Sequence, residues 1–139
     1  MESDFSAVLT DGRAGFPALL DAIEAHLAAA GVPQTAAAPV LIAFDEVVSN
    51  ILDYGRAASV QVEVRVGGGQ VVARIADDGA AFNPIAAETP DTSQSVEDRP
   101  IGGLGIHLVR TLMDSVDYDR SSGRNQLRFS KAFSPASAS

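Results

Sequence analysis

At 139 residues, 46% of them hydrophobic, the chain fits one domain with one sizeable core, which excludes global disorder. Eighteen acidic against ten basic residues give a net charge of −8, which excludes a phosphate-backbone binder built on clustered Lys and Arg, but not a site for one nucleotide held by backbone amides and a metal. With no Cys, no apolar run of membrane-spanning length and an acidic N-terminus without a signal-peptide pattern, a cytoplasmic domain with no membrane and no nucleic-acid partner is expected.

Phe5, Ala7 and Leu9 alternate, which suggests a short strand over residues 4–9. A helix follows from about Gly15 to Ala30, with Phe16, Leu19, Leu20, Ile23 and Leu27 on its apolar side and Gly31 as its C-terminal stop. His26 lies opposite that stripe and reads as a solvated residue. Pro33 to Ala38 reads as a connector, and Pro39 as the start of a central helix ending at Gly55. Val40, Phe44, Val47 and Ile51 mark the buried side of that helix. Steps of four and three place Glu46, Asn50 and Asp53 together on the opposite side.

Val60, Val62, Val64 and Val66 alternate with polar residues, the cleanest strand signal in the chain. Gly67 to Gly69 make a turn, and Val71 to Ala76 return as the second strand of a hairpin. Asp77-Asp78-Gly79 closes it. Residues 86–100 carry almost no large apolar side chain, and a polar loop of that length in a small domain is usually functional. Ile101-Gly102-Gly103-Leu104-Gly105 then leads into a helix over about 106–114. Val116 and Tyr118 open another strand, residues 121–123 turn, and Leu127, Phe129 and Phe133 alternate in a last one. One domain over 1–133 and a disordered tail over 134–139 are expected.

Three of these pieces suit one nucleotide. Asp77, at a strand end, can accept a hydrogen bond from the exocyclic amine of adenine, and Gly79 lets the backbone approach the ring. The glycines at 103 and 105 precede a helix, where backbone amides can face an anion. Neither a Walker A loop nor a Rossmann fingerprint is present. Asn50 offers an amide oxygen to Mg²⁺, and Glu46, one turn earlier, can deprotonate or orient an attacking hydroxyl. His26 and His107 are too far apart in sequence to form a recognisable metal site.

The order Glu46-x-x-x-Asn50, Asp77-x-Gly79, Gly103-x-Gly105 resembles the N, G1 and G2 boxes of the GHKL ATP-binding superfamily. FDEVVSNILDYG, IADDGAAFNP and RPIGGLGIHLVRTLMDSVDY are similar to the bacterial anti-sigma-factor serine kinases of partner-switching systems, and the likeness runs from about Phe5 to Phe133. The resemblance implies an α/β two-layer sandwich, a mixed and mostly antiparallel sheet covered on one face by three helices. It implies ATP and Mg²⁺ as cofactors, Glu46 as catalytic base and Asn50 as the metal ligand. Asp77 and Gly79 would meet adenine, and Gly103, Leu104 and Gly105 would line the phosphates. Residues 83–102 would be a lid from which Arg99 reaches the phosphates. Asp53, on the helix face of Asn50, is grouped with the nucleotide-facing residues through metal or water.

The implied activity is ATP-dependent phosphorylation of a serine or threonine on a small antagonist protein of the anti-anti-sigma kind. The implied partners are that antagonist and a regulator such as a sigma factor; a homodimer is compatible with the sequence. The chain departs from the family's pattern at Ala81 (a glycine position), Asp53 (often lysine), Tyr54 (often histidine) and Asn125-Gln126-Leu127 (often threonine-bearing). A non-catalytic adaptor, in which nucleotide only shapes a partner surface, and a histidine-kinase ATP-binding domain are the alternative readings.

Overall fold

The computed structural model describes residues 3–55, 57–79 and 103–134. Among the described residues five strands and three helices build two layers. The strands are β1 (Ser3–Leu9), β2 (Val60–Gly67), β3 (Gln70–Asp77), β4 (Ser115–Ser121) and β5 (Arg124–Ala132). The helices are α1 (Phe16–Ala29), α2 (Gln34–Asn50) and α3 (Gly103–Leu112). The sheet order is β1-β2-β3-β5-β4. All four pairings among the described strands are antiparallel, so the expected mixed sheet narrows to an antiparallel one.

One face of this sheet is core and the other is wet. Val60, Val62, Val64 and Val66 are buried, and so are Val71, Ala73, Ile75, Leu127 and Phe129 in register with them. Gln61, Glu63, Arg65, Arg74 and Arg128 lie on the open face. This period of two is what a sheet covered on one side requires. The hairpin between β2 and β3 is closed by Gly68 and Gly69, both at positive φ (63° and 75°). A two-residue loop of that hand matches the strand twist, and only glycine adopts it without strain.

The helical layer follows the apolar stripes. Ile23 and Leu27 of α1, and Val40, Phe44 and Val48 of α2, are fully buried. Phe44 meets Phe129 of β5 edge-on, with ring centroids 5.1 Å apart, which fixes α2 on the sheet. At the end of α1 the Val32 amide donates to the Leu27 carbonyl (3.0 Å) and the Gly31 amide to Ala28 (3.1 Å). Gly31 at φ 82° makes that reversal possible.

Four expectations about the helices change. The central helix begins at Gln34, not Pro39, so Pro39 lies inside it. Pro33 caps it, its carbonyl accepting from the Ala36 and Ala37 amides (both 2.9 Å). Pro39 removes the bond that would reach the Thr35 carbonyl, but Thr35 is exposed and water can take its place. Past Asn50 the helix widens into a π turn, Ile51–Gly55. The helix after the glycines spans 103–112, so Gly103 and Gly105 lie within its first turn. The stretch Gln34–Asp53 does reach membrane-span length and apolarity (20 residues, mean hydropathy 1.4), and half of it is buried inside the protein.

His26, expected in solvent, is half-buried. Its ring packs 5.5 Å from that of Phe5, and its Nε2 is buried without a hydrogen-bond partner among the described residues.

Candidate functional site

Strand register assembles the core of the site. Leu9, Val60, Asp77, Asn125 and Arg120 stand in one transverse row across all five strands. Asp77 and Asn125 are buried, at 4% and 5% exposure, among otherwise apolar helix-facing positions. A carboxylate in such a place needs donors. Asp77 Oδ1 accepts from the Gly79 amide (2.8 Å) and from Asn125 Nδ2 (3.1 Å). Asp77 Oδ2 accepts from no described residue and remains available as an acceptor.

Behind Asn125 stand two further donors. Tyr118 Oη and Arg120 Nη1 (2.9 Å) both donate to Asn125 Oδ1, and the same Arg120 nitrogen reaches the Gly79 carbonyl at 3.3 Å. Tyr118 and Arg120 were not singled out as site residues from the sequence. Their spacing of two on β4 was the one signal for a shared face.

Asp78 does a different job from Asp77, as alternation along a strand demands. It points outward, and its Oδ1 accepts from the Ala58 (2.9 Å) and Ser59 (3.0 Å) amides, tying the segment before β2 to the end of β3. The bond from the Ser59 amide is the main cause that holds its carboxyl below the usual range, with the Ala58 amide and Arg124 acting the same way. A lowered folded value means the folded state favours the ionised form. That stabilisation is complete above the unfolded value of about 3.9 and is lost as pH falls through the lowered folded value. Acid titration of the wild type and Asp78→Asn should therefore show a stability difference at neutral pH that closes in strong acid. A difference that stays constant down to the acid limit would remove the charge from this account.

The helix α2 carries the second part. Glu46 is half-buried and makes no hydrogen bond among the described residues, so its carboxylate is not committed to the fold. Asn50, one turn on, is 8% exposed, and its Nδ2 is buried with no partner among the described residues. An orphaned buried amide costs about 1–3 kcal/mol, which a bound ligand would relieve. A half-turn about χ2 exchanges its nitrogen and oxygen, so the same position can offer oxygen to a cation. No hydrogen bond links Glu46 or Asn50 to the Asp77 cluster among the described residues.

Asp53 has a partner that the sequence did not suggest. The Arg13 guanidinium grips it with two bonds, Nε to Oδ1 at 2.9 Å and Nη2 to Oδ2 at 2.5 Å. Asp53 lies in the π turn, beyond the regular α-helix that carries Glu46 and Asn50, and its charge is met by Arg13 on the turn before α1. Both side chains are substantially exposed, so this pair contributes little stability.

Gly103, Leu104 and Gly105 form the first turn of α3, which packs on α2. The first four amides of a helix have no partner within it, and they and the helix dipole favour an anion. Ala81, Arg99, Gly102, most of the expected tail and the whole expected lid at 83–102 lie outside the described residues. Among the described residues no cluster of three or more His, Cys, Asp or Glu could hold a metal by itself.

The chain is 33% identical over 97 residues to the serine/threonine-protein kinase BtrW of Bordetella bronchiseptica, a match covering 67% of this chain and 68% of that one. Its fold is similar to that of the RsbU and RsbW domains of Rv1364c from Mycobacterium tuberculosis (TM-score 0.65, 16% identity), covering 92% of this chain and 32% of the mycobacterial one. It is also similar to the Acinetobacter baumannii histidine kinase AdeS (TM-score 0.51, 12% identity), covering 93% of this chain and 68% of that kinase. The chain thus spans about a third of the length of the mycobacterial chain that it matches. The family described as histidine kinase-like ATPase domain matches residues 13–131, from the arginine that grips Asp53 to the last strand, and the chain belongs to that family.

Proposed function

We propose that the protein is an ATP-dependent serine/threonine kinase of a partner-switching system. It binds ATP–Mg²⁺, transfers phosphate to a small antagonist protein, and holds a regulator such as a sigma factor when the antagonist is absent. The observation that carries the nucleotide site is Asp77, a buried carboxylate with one oxygen pinned by two donors and the other left as an acceptor. The likeness to the Bordetella kinase supports the choice of transfer over mere binding.

In this reading the exocyclic amine of adenine donates to Asp77, and Gly79 keeps the backbone thin beside the ring. The first turn of α3 supplies amides to the phosphates. Asn50 would hold Mg²⁺ through its side-chain oxygen, the kind of ligand this hard cation takes. Bound there, the metal offsets the negative charge of the phosphates. Glu46 accepts the proton of the substrate hydroxyl. The adaptor alternative draws on Asp53 and Ala81; the Arg13 pair weakens the first ground, and Ala81 lies outside the described residues.

The test joins binding and transfer. Asp77→Asn should weaken ATP binding by about one to two orders of magnitude, the loss of a charge-assisted hydrogen bond. A fluorescent ATP analogue titrated into both proteins, with GTP as competitor, measures this. Phosphate on a co-expressed antagonist, read by mass spectrometry, tests transfer. Equal affinity for ATP and GTP, unaffected by the substitution, would remove adenine reading; strong ATP binding without transfer would leave the adaptor.

A further inference from the structure

We propose that Asn125 is a specificity determinant of the nucleotide site, and that Tyr118 and Arg120 are positioning residues that set it. The inference rests on the reading of Asp77 as the acceptor for adenine. It adds the reason why that carboxylate presents one oxygen and not two.

The chemistry of the four groups fixes the arrangement. A guanidinium can only donate, and an ionised carboxylate can only accept. Arg120 therefore holds the Asn125 oxygen toward β4, and the Asn125 nitrogen turns toward Asp77 (3.1 Å). Tyr118 donates to the same oxygen and reinforces that choice. Both donors oppose the half-turn about χ2 that would set the Asn125 oxygen against the carboxylate. So turned, the site would repel itself.

With Asn125 held as donor, Asp77 Oδ1 takes two hydrogen bonds, from Asn125 and from the Gly79 amide. The ligand meets Oδ2. A lone carboxylate oxygen accepts the 6-amino group of adenine and repels the 6-oxo group of guanine. Arg120 adds a second tie, to the Gly79 carbonyl at 3.3 Å, so the same side chain holds the glycine beside the base. The relay runs from an exposed arginine on an edge strand to a buried carboxylate two strands away.

The experiment compares two ligands on the full chain. One is ATP. The other is purine riboside 5′-triphosphate, which lacks the exocyclic amine and is otherwise alike. The wild type should prefer ATP by about tenfold or more, the scale of one hydrogen bond to a charged group. Asn125→Ala should weaken ATP binding about tenfold and the analogue less than about twofold, so the preference collapses. Tyr118→Phe keeps the ring and the fold and should lower the preference about threefold, the scale of one hydrogen bond. A purely structural role for these residues would weaken both ligands alike. Equal losses for ATP and the analogue in both variants overturn the relay and leave the ATP site standing. A wild type that does not distinguish the two ligands overturns the adenine reading of Asp77, and the relay with it.

Discussion

Glu46→Gln should lower phosphate transfer to the antagonist by about 10²- to 10⁴-fold, the range of a positioned general base. That corresponds to about 2.7–5.5 kcal/mol of barrier. Nucleotide and partner affinity should change by less than about threefold, because Gln keeps the shape and Glu46 makes no hydrogen bond among the described residues that the change could break. The helix that carries Glu46 is fixed by Val47 and Val48 on its buried side, so the side chain starts from a rigid base. Single-turnover phosphotransfer separates the chemical step from product release, and calorimetry supplies the affinities. Transfer at the wild-type rate would falsify the base assignment and leave Glu46 a positioning residue at most.

Phe44→Ala should be the most damaging single core change. Phe44 is fully buried and meets Phe129 edge-to-face at 5.1 Å. Deleting a buried phenyl ring costs about 3–5 kcal/mol, transfer and cavity terms together. A domain of this kind has about 5–15 kcal/mol in all, so the loss is a large share of it. The contact joins α2 to β5, so Asn50 and Asn125 depend on one interface for their placement. Urea unfolding followed by circular dichroism measures the loss. Val8→Ala, at 58% exposure on the edge strand, is the control and should change stability by less than about 0.5 kcal/mol. A loss below about 1 kcal/mol at Phe44 would mean that α2 is not docked as described.

The order of elements was legible because local rules govern it. The valines of β2 alternate, Gly68 and Gly69 close its hairpin, and the stripe of α1 ends at Gly31. Each of these depends on residues within a few positions of one another. Proline suits the first turn of a helix, which is why the sequence places the start of α2 at Pro39. The helix accepts it one turn in, since the lost bond falls on exposed Thr35 while Ala36, Ala37 and Val40 are buried around it. The expected helix starts at about 106, after the glycines, yet it begins on them, although glycine is a poor helix former.

Spacing and residue chemistry, which are written locally, were enough for the buried faces and for Glu46, Asn50 and Asp77 as candidate groups, and the order of the three motifs, through the resemblance it carries, was enough for the two-layer α/β class. Tertiary structure alone decided what surrounds them. Asn125 reaches Asp77 across 48 positions only because β5 folds back between β3 and β4. Arg13 reaches Asp53 across 40 only because α1 and α2 pack together, leaving the turn before one helix beside the end of the other. Whether a carboxylate presents one oxygen or two, and whether a charge meets a partner or a ligand, depends on neighbours distant in sequence. Periodicity carries no record of them, since it fixes which face a side chain occupies and not which strand or helix comes to lie beside it.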